Sequence, residues 1–239
     1  MPMTAWHEGP MVEFDLESTG VDTAKARIVT ACVAAIEPGQ PVTPETWLVD
    51  PGIEIPAEAT AVHGITTNQV RNDGQPAHLA VGEIADMLTA YWANDWPVVG
   101  FNLCYDLTLL DRELRRHSRP PLVPGLCIDA FVLDKHVSYR RGSRKLVDQC
   151  AHYGVRIDGA HDAAADALAA ARVAWKIGHQ YPTVRGLSLA ELHEAQARWA
   201  GEQAASFREY LIRQGRTEDL PHGEWPMRAW TLVDEAGAA

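Results

Sequence analysis

Apolar and polar positions alternate over residues 11–17, Met-Val-Glu-Phe-Asp-Leu-Glu, and the alternation stops at Ser18-Thr19-Gly20. That pattern predicts a strand entering a turn. Residues 27–36 are an apolar run closed by Glu37-Pro38-Gly39, which reads as a second, well-buried strand, and residues 46–50 before Pro51-Gly52 read as a third. The short connections favour an antiparallel meander. The period then changes. Leu79, Val81, Ile84, Met87, Leu88 and Tyr91 form one face of a helix over 76–92. A short strand follows at 97–101, then a helix over 105–117, a strand at 126–128, and helices over 129–137, 145–153 and 161–179. Strands first, then strands alternating with helices, imply an α/β layer protein with a mixed sheet. Residues 188–214 read as one amphipathic helix carrying Leu189, Leu192, Ala195, Trp199, Phe207 and Leu211.

The chain has 239 residues, 46% apolar and 22% charged, a composition that can bury a core and excludes disorder as the main state. No apolar run of eighteen or more residues occurs and no secretory signal is visible, so a cytoplasmic protein with no membrane role is expected. Cys32, Cys104, Cys127 and Cys150 are scattered without a C-x-x-C pair, which speaks for reduced thiols rather than disulfides or structural zinc. The net charge of −11 argues against a broad basic surface gripping polyanions. It leaves open an enzyme that meets phosphate through metals held by carboxylates.

Candidate chemistry sits at the strand ends. Asp15 and Glu17 lie two apart on the first strand, so both leave the same sheet face. Two neighbouring carboxylates on a buried strand repel and lose hydration, and a bound cation is the simplest compensation. Asp106 stands at the opening turn of a helix just after a strand, where α/β sheets place ligands and where the helix dipole also favours an acid. His161 precedes a late helix that carries Asp166 one turn in. Basic residues cluster locally. Arg112, Arg115, Arg116 and Arg119 read as a solvated helix face, and the loop with Arg140, Arg141, Arg144 and Lys145 is a candidate phosphate tracker.

Phe14-Asp15-Leu16-Glu17-Ser18-Thr19-Gly20, then Val99-Gly100-Phe101-Asn102-Leu103-Cys104-Tyr105-Asp106, then His161-x4-Asp166, in that order, resemble the DEDDh 3′–5′ exonucleases. This is the DnaQ-like family that includes the epsilon proofreading subunit of DNA polymerase III, RNase T and oligoribonuclease. Val62-His63-Gly64-Ile65-Thr66 resembles the epsilon-like branch, and Asp162 in place of a tyrosine sets the chain apart from the tyrosine-bearing sister group. Phe101-Asn102 stands where many relatives have His-Asn, and Ser18 where Thr is common. The resemblance covers about residues 10–180.

It implies an RNase H-like, mixed five-stranded sheet flanked by helices, with an exonuclease domain at 1–184. A helical C-terminal extension at 185–239 would pack on that domain or bind a partner such as a polymerase or another replication or repair protein. It further implies that Asp15, Glu17, Asp106 and Asp166 hold two Mg²⁺ or Mn²⁺ ions. His161 would act as general base on the attacking water, while Glu58, His63, Thr19 and Asn102 contact substrate. The expected substrate is nucleic acid with a free 3′ end, single-stranded DNA before RNA, and the expected role is DNA repair or proofreading. RNA trimming, oligoribonuclease activity and a catalytically idle binding module are the competing readings.

Overall fold

The computed structural model describes residues 5–156, 163–218 and 220–231, with side chains in the 163–180 helix from residue 168 onward. The sheet begins with β1 (Met11–Ser18), β2 (Ile28–Ile36) and β3 (Thr43–Asp50), an antiparallel meander in which Asp15 faces Cys32 and Glu17 faces Thr30. Two seven-residue helices follow, α1 (Ala57–His63) and α2 (Thr67–Asp73), then the short β4 (Gln75–Pro76) and α3 (Ala77–Trp92). Next come β5 (Val98–Gly100), α4 (Leu103–Arg116), β6 (Cys127–Asp129), α5 (Ala130–Val137) and α6 (Leu146–Tyr153). The chain continues through α7 (Ala163–Gln180), α8 (Pro182–Arg185) and α9 (Leu189–Arg213).

The sheet order is β4-β3-β2-β1-β5-β6, with β5 and β6 parallel to β1 and β2 antiparallel to it. The expected α/β architecture is present. The expected five strands are joined by a sixth, because Gln75 and Pro76 pair in parallel with the end of β3. Two residues, one of them a proline without an N–H, leave no alternation to read.

Why β1 lies at the centre follows from its sequence. Val12, Phe14 and Leu16 enter the core on one side, while Glu13, Asp15 and Glu17 leave on the other. Gly100 closes β5 against β1: a Cβ there would stand 2.9 Å from the Phe14 carbonyl oxygen, so a side chain would push β5, and α4 after it, away from the strand that carries Asp15 and Glu17. Leu103, Leu107, Leu109, Leu110 and Leu114 bury α4 against this core.

The sequence pattern missed α1 and α2, which are too short to show a period. Their signals are local. Thr66 caps α2 by accepting the Gln69 N–H, and Gly64 ends α1 at φ +78°, where a side chain would be strained. The last long helix is where the apolar spacing puts it. Ser188 and Glu191 form a reciprocal capping box at its start, and Leu192, Ala195, Trp199 and Leu211 are buried, while Phe207 is left half-exposed.

The arginines of α4 are structural rather than a solvated face. Asp111, fully buried, accepts from Arg112 at 2.9 Å, Arg115 at 2.8 Å and the Leu122 N–H at 3.0 Å. Glu113, also fully buried, takes Arg27 at 2.7 Å and Arg116 at 2.6 Å. Arg112 is itself covered by the chain end, donating to the carbonyls of Arg228 and Ala229. Helix period hides this. Two buried acids, each shared by two arginines, satisfy these cations at positions that composition assigns to water.

Candidate active site

The three parts of the acid pattern arrive from different elements. Asp15 and Glu17 lie on β1, just before the register shift between Glu17 and Ser18. Asp106 sits in the first turn of α4, which Asn102 opens in the left-handed region at φ 60°. Asp106 is 4% exposed, and burial first, then the Asp15 carboxylate beside it, push its pKa well above the usual range; the Leu16 backbone N–H pulls the other way. Asp15 and Asp106 therefore share one electrostatic environment, which the sequence suggested only through motif order.

A further acid belongs here that the sequence reading did not single out. Asp129 ends β6 and caps α5, and it is 1% exposed. Its Oδ1 accepts the backbone N–H groups of Asn102 at 2.9 Å and Phe131 at 3.0 Å, and its Oδ2 accepts from the Trp225 indole at 3.3 Å. Burial raises its pKa to about 6 against the pull of these donors, and its charge adds to the load on Asp106. Asp129 thus fixes the strained Asn102 turn that presents Asp106. An Asp directly before an apolar helix start is the available signal for such a cap.

The turn after β1 is tied to α4 by hydroxyls. Tyr105 Oη and Ser18 Oγ lie 2.6 Å apart, and both reach the Gly20 carbonyl oxygen. Burial pushes the Tyr105 hydroxyl to about 12, so it stays protonated as a donor. Thr19 is buried and its Oγ1 accepts the Arg27 N–H at 2.9 Å, closing the loop between β1 and β2. His63 ends α1 and is 8% exposed; its Nδ1 accepts the Ile65 N–H at 3.1 Å. Burial lowers its pKa, with the neighbouring Ser18 carbonyl acting in the opposite sense, so α1 ends beside the turn that follows Glu17. Glu58 is exposed in the first turn of the same helix, and the Asn102 side chain is exposed at the mouth of α4. His161 and the side chain of Asp166 lie outside the described residues; the backbone of Asp166 belongs to α7, which packs against β1.

The loop proposed as a phosphate tracker is partly spoken for. Asp134, fully buried, accepts from Arg144 at 2.5 Å and Arg140 at 3.3 Å, and from the Tyr153 hydroxyl at 2.8 Å. Arg141 and Lys145 are exposed. Burial raises the Cys104 thiol to about 11 and the Cys127 thiol well above its usual value, which disfavours the nucleophilic thiolate at both, and Cys32 and Cys150 are buried.

Oxygen-only donors with one deeply buried, charge-loaded carboxyl suit a hard divalent cation, so the residues present fit the metal that the motif implies. Among the described residues no group of three or more His, Cys, Asp or Glu side chains is assembled to hold a metal. Also among the described residues, no helix is long and apolar enough to cross a membrane.

A central β1 bearing the Asp-x-Glu pair thus lies beside a helix that opens on a buried aspartate, as the order of the acid motifs leads one to expect. The family model of the RNase T exonucleases matches residues 12–174, and the chain belongs to that family. An uncharacterised exonuclease of Escherichia phage 186 is 32% identical over 176 residues, 67% of this chain and 84% of the phage protein. The PolC-type DNA polymerase III of Clostridium perfringens is 25% identical over 162 residues, which are 68% of this chain and 11% of the polymerase. The chain thus spans about a tenth of the length of the PolC-type relatives. In fold, Escherichia coli exonuclease I, solved with a dT13 oligonucleotide, superposes with a TM-score of 0.60 at 18% identity, covering 74% of this chain and 42% of that one.

Proposed function

We propose that the protein is a metal-dependent 3′–5′ exonuclease that removes nucleoside 5′-monophosphates from the 3′ end of single-stranded DNA, in repair or proofreading. The observation that carries this reading is the buried Asp106 carboxyl beside Asp15 at the end of β1, in a chain of the exonuclease family. Exonuclease I bound to dT13 supports the choice of polymer, and the PolC-type relatives support a replication setting.

In this reading Asp15, Glu17, Asp106 and Asp166 hold two Mg²⁺ or Mn²⁺ ions. When bound, the ions would supply Lewis-acid polarisation of the phosphodiester. His161 takes the proton from the attacking water, a task suited to a group with an ordinary pKa near 6.5. Asp129 holds the Asn102 turn and so orients Asp106, while Tyr105 holds the Ser18–Gly20 turn beside Glu17. His63 and Glu58 flank the terminal nucleotide, and Thr19 and Asn102 keep the backbone open to it.

The test is incubation of the purified chain with 5′-labelled single-stranded DNA and RNA of one sequence, with Mg²⁺, Mn²⁺ or EDTA. A metal-dependent ladder shortening from the 3′ end, absent in His161→Ala, is the expected result, with DNA the faster polymer. No cleavage of either strand with any metal overturns it. A faster RNA ladder overturns the choice of polymer.

A further inference from the structure

The residues that present Asp106, namely Asn102, Tyr105 and Asp129, line the inner end of a groove that the family motifs do not describe. A cavity of about 810 Å³ runs from Asn102 and Tyr105 between α5 and α9 and is flanked by the chain end at Trp225 and Arg228. A second cavity of about 410 Å³ shares Lys135, Gln203 and Phe207 with it and continues along the same two helices to Tyr139 and Tyr210. From Ala200 to Tyr210, α9 alone accounts for about 15 Å of this path at 1.5 Å per residue.

The lining is unlike the rest of an acidic chain. Phe207 is 48% exposed, Tyr210 50% and Tyr139 95%, and Phe131 stands at the inner end with the Lys135 ammonium 5.0 Å from its ring centre. Lys135, Lys145 and Arg228 line the groove, against Glu202 and Glu224 and the buried Asp129. Solvent-facing rings interleaved with cations along a channel suit unpaired bases and their phosphates, because a ring face stacks only on a base released from its pair. The inner end abuts the residues that present Asp106. A strand whose 3′ end is at the acids therefore has a continuous way out along α9.

We propose that the groove between α5 and α9 is the track for the nucleotides upstream of the 3′ end, with Phe207 and Tyr210 as stacking platforms. The track depends on the exonuclease reading for what sits at its inner end. Its consequence is a preference for long single strands over short ones. Residues from α9 to Arg228 supply much of that preference.

The experiment measures anisotropy of fluorescein-labelled dT12 and dT3 on the full chain in EDTA, where nothing is hydrolysed. Wild type is expected to bind dT12 well above dT3. Phe207→Ala and Tyr210→Ala, each at an exposed position, are expected to weaken dT12 about tenfold or more, as loss of one base–aromatic stack would. Ile212→Ala, exposed on the same helix outside the groove, serves as control. Lys145→Gln is expected to lower the salt slope of dT12 binding by about one phosphate contact. With Mg²⁺ or Mn²⁺ added, the ratio of kcat/KM for dT12 to that for dT3 falls in the two aromatic variants.

Wild-type affinity for dT12 in Phe207→Ala and Tyr210→Ala overturns the track. So does equal binding of dT12 and dT3, or competition by blunt duplex as strong as by dT12. Binding that behaves as expected while no strand is shortened with any metal leaves the track standing and overturns the exonuclease reading instead.

Discussion

The indole of Trp225 donates to Oδ2 of Asp129 at 3.3 Å across 96 residues of sequence. The segment carrying Trp225 is docked on one stripe of α4. Cys104 donates its Sγ–H to the Glu224 carbonyl, Thr108 accepts the Arg228 N–H at 3.0 Å, and Arg112 takes the Arg228 and Ala229 carbonyls. Positions 104, 108 and 112 recur every four residues, so one helix face presents all three. The strand-end acids are therefore buttressed by residues that follow α9.

Trp225→Phe keeps the ring and removes the donor to Asp129. Loss of a hydrogen bond to a buried carboxyl is expected to cost about 1.5–3 kcal/mol of stability. Because Asp129 holds the Asn102 turn through its other oxygen, kcat is expected to fall more than KM changes. Urea denaturation and steady-state kinetics check the two halves separately.

Asp106→Asn removes the buried charge. The Asp106 carboxyl sits well above its usual pKa in the folded state, so its ionised form weakens the metal-free fold at neutral pH. The variant is expected to have a higher Tm than wild type in EDTA. Wild type is expected to gain Tm on adding Mn²⁺ and the variant to gain less. Thermal melts with and without the metal read both, and nuclease activity is expected to drop at least a thousandfold.

Asp134→Ala strands Arg140 and Arg144 and frees the Tyr153 hydroxyl. Removing one partner of a buried ion pair costs about 3–5 kcal/mol, so the variant is expected to be strongly destabilised. Asp134→Asn keeps hydrogen-bonding oxygen in place and is expected to recover part of the loss. Chemical denaturation of the two side by side is the measurement.

Stability is expected to fall on mild acidification through His193. Its Nδ1 accepts the Cys127 N–H at 3.0 Å, and burial lowers its pKa from the usual value of 6.5. The neutral ring is the folded form, so its contribution is complete above about pH 6.5 and is lost as pH falls toward the folded pKa, where the unfolded chain binds the extra proton. His193→Gln is expected to flatten the decline in unfolding free energy between about pH 7 and 5.5. An unchanged slope removes His193 as its source.

Much of this was legible because it is written in short-range pattern. Alternation placed β1 with its faces, an unbroken apolar run placed β2, helical spacing placed α3 and α9, and the order Asp15, Glu17, Asp106 pointed to one site before any contact was visible. What stayed hidden depends on long-range satisfaction of polar groups. The spacing of Asp111 with Arg115 and of Glu113 with Arg116 allows ion pairs on a helix, but nothing in it signals that both acids are buried or that Arg27, 86 residues away, joins Glu113. Asp129 looked like a helix start because its partners, Asn102 and Trp225, lie 27 and 96 residues away. The half-exposed Phe207 broke an otherwise buried stripe, and that break is the inner wall of a groove.

The hydrogen bond between Trp225 and Asp129 also has a timing. A ribosome adding about 5–20 residues per second makes Trp225 roughly 5–20 s after Asp129. During that interval the strands of the sheet are already synthesised and Asp166 is added part-way, yet Arg112 and Asp129 still lack the carbonyls and the indole that finish them. The turn that presents Asp106 is thus completed by contacts whose donors and acceptors are made only near the end of translation.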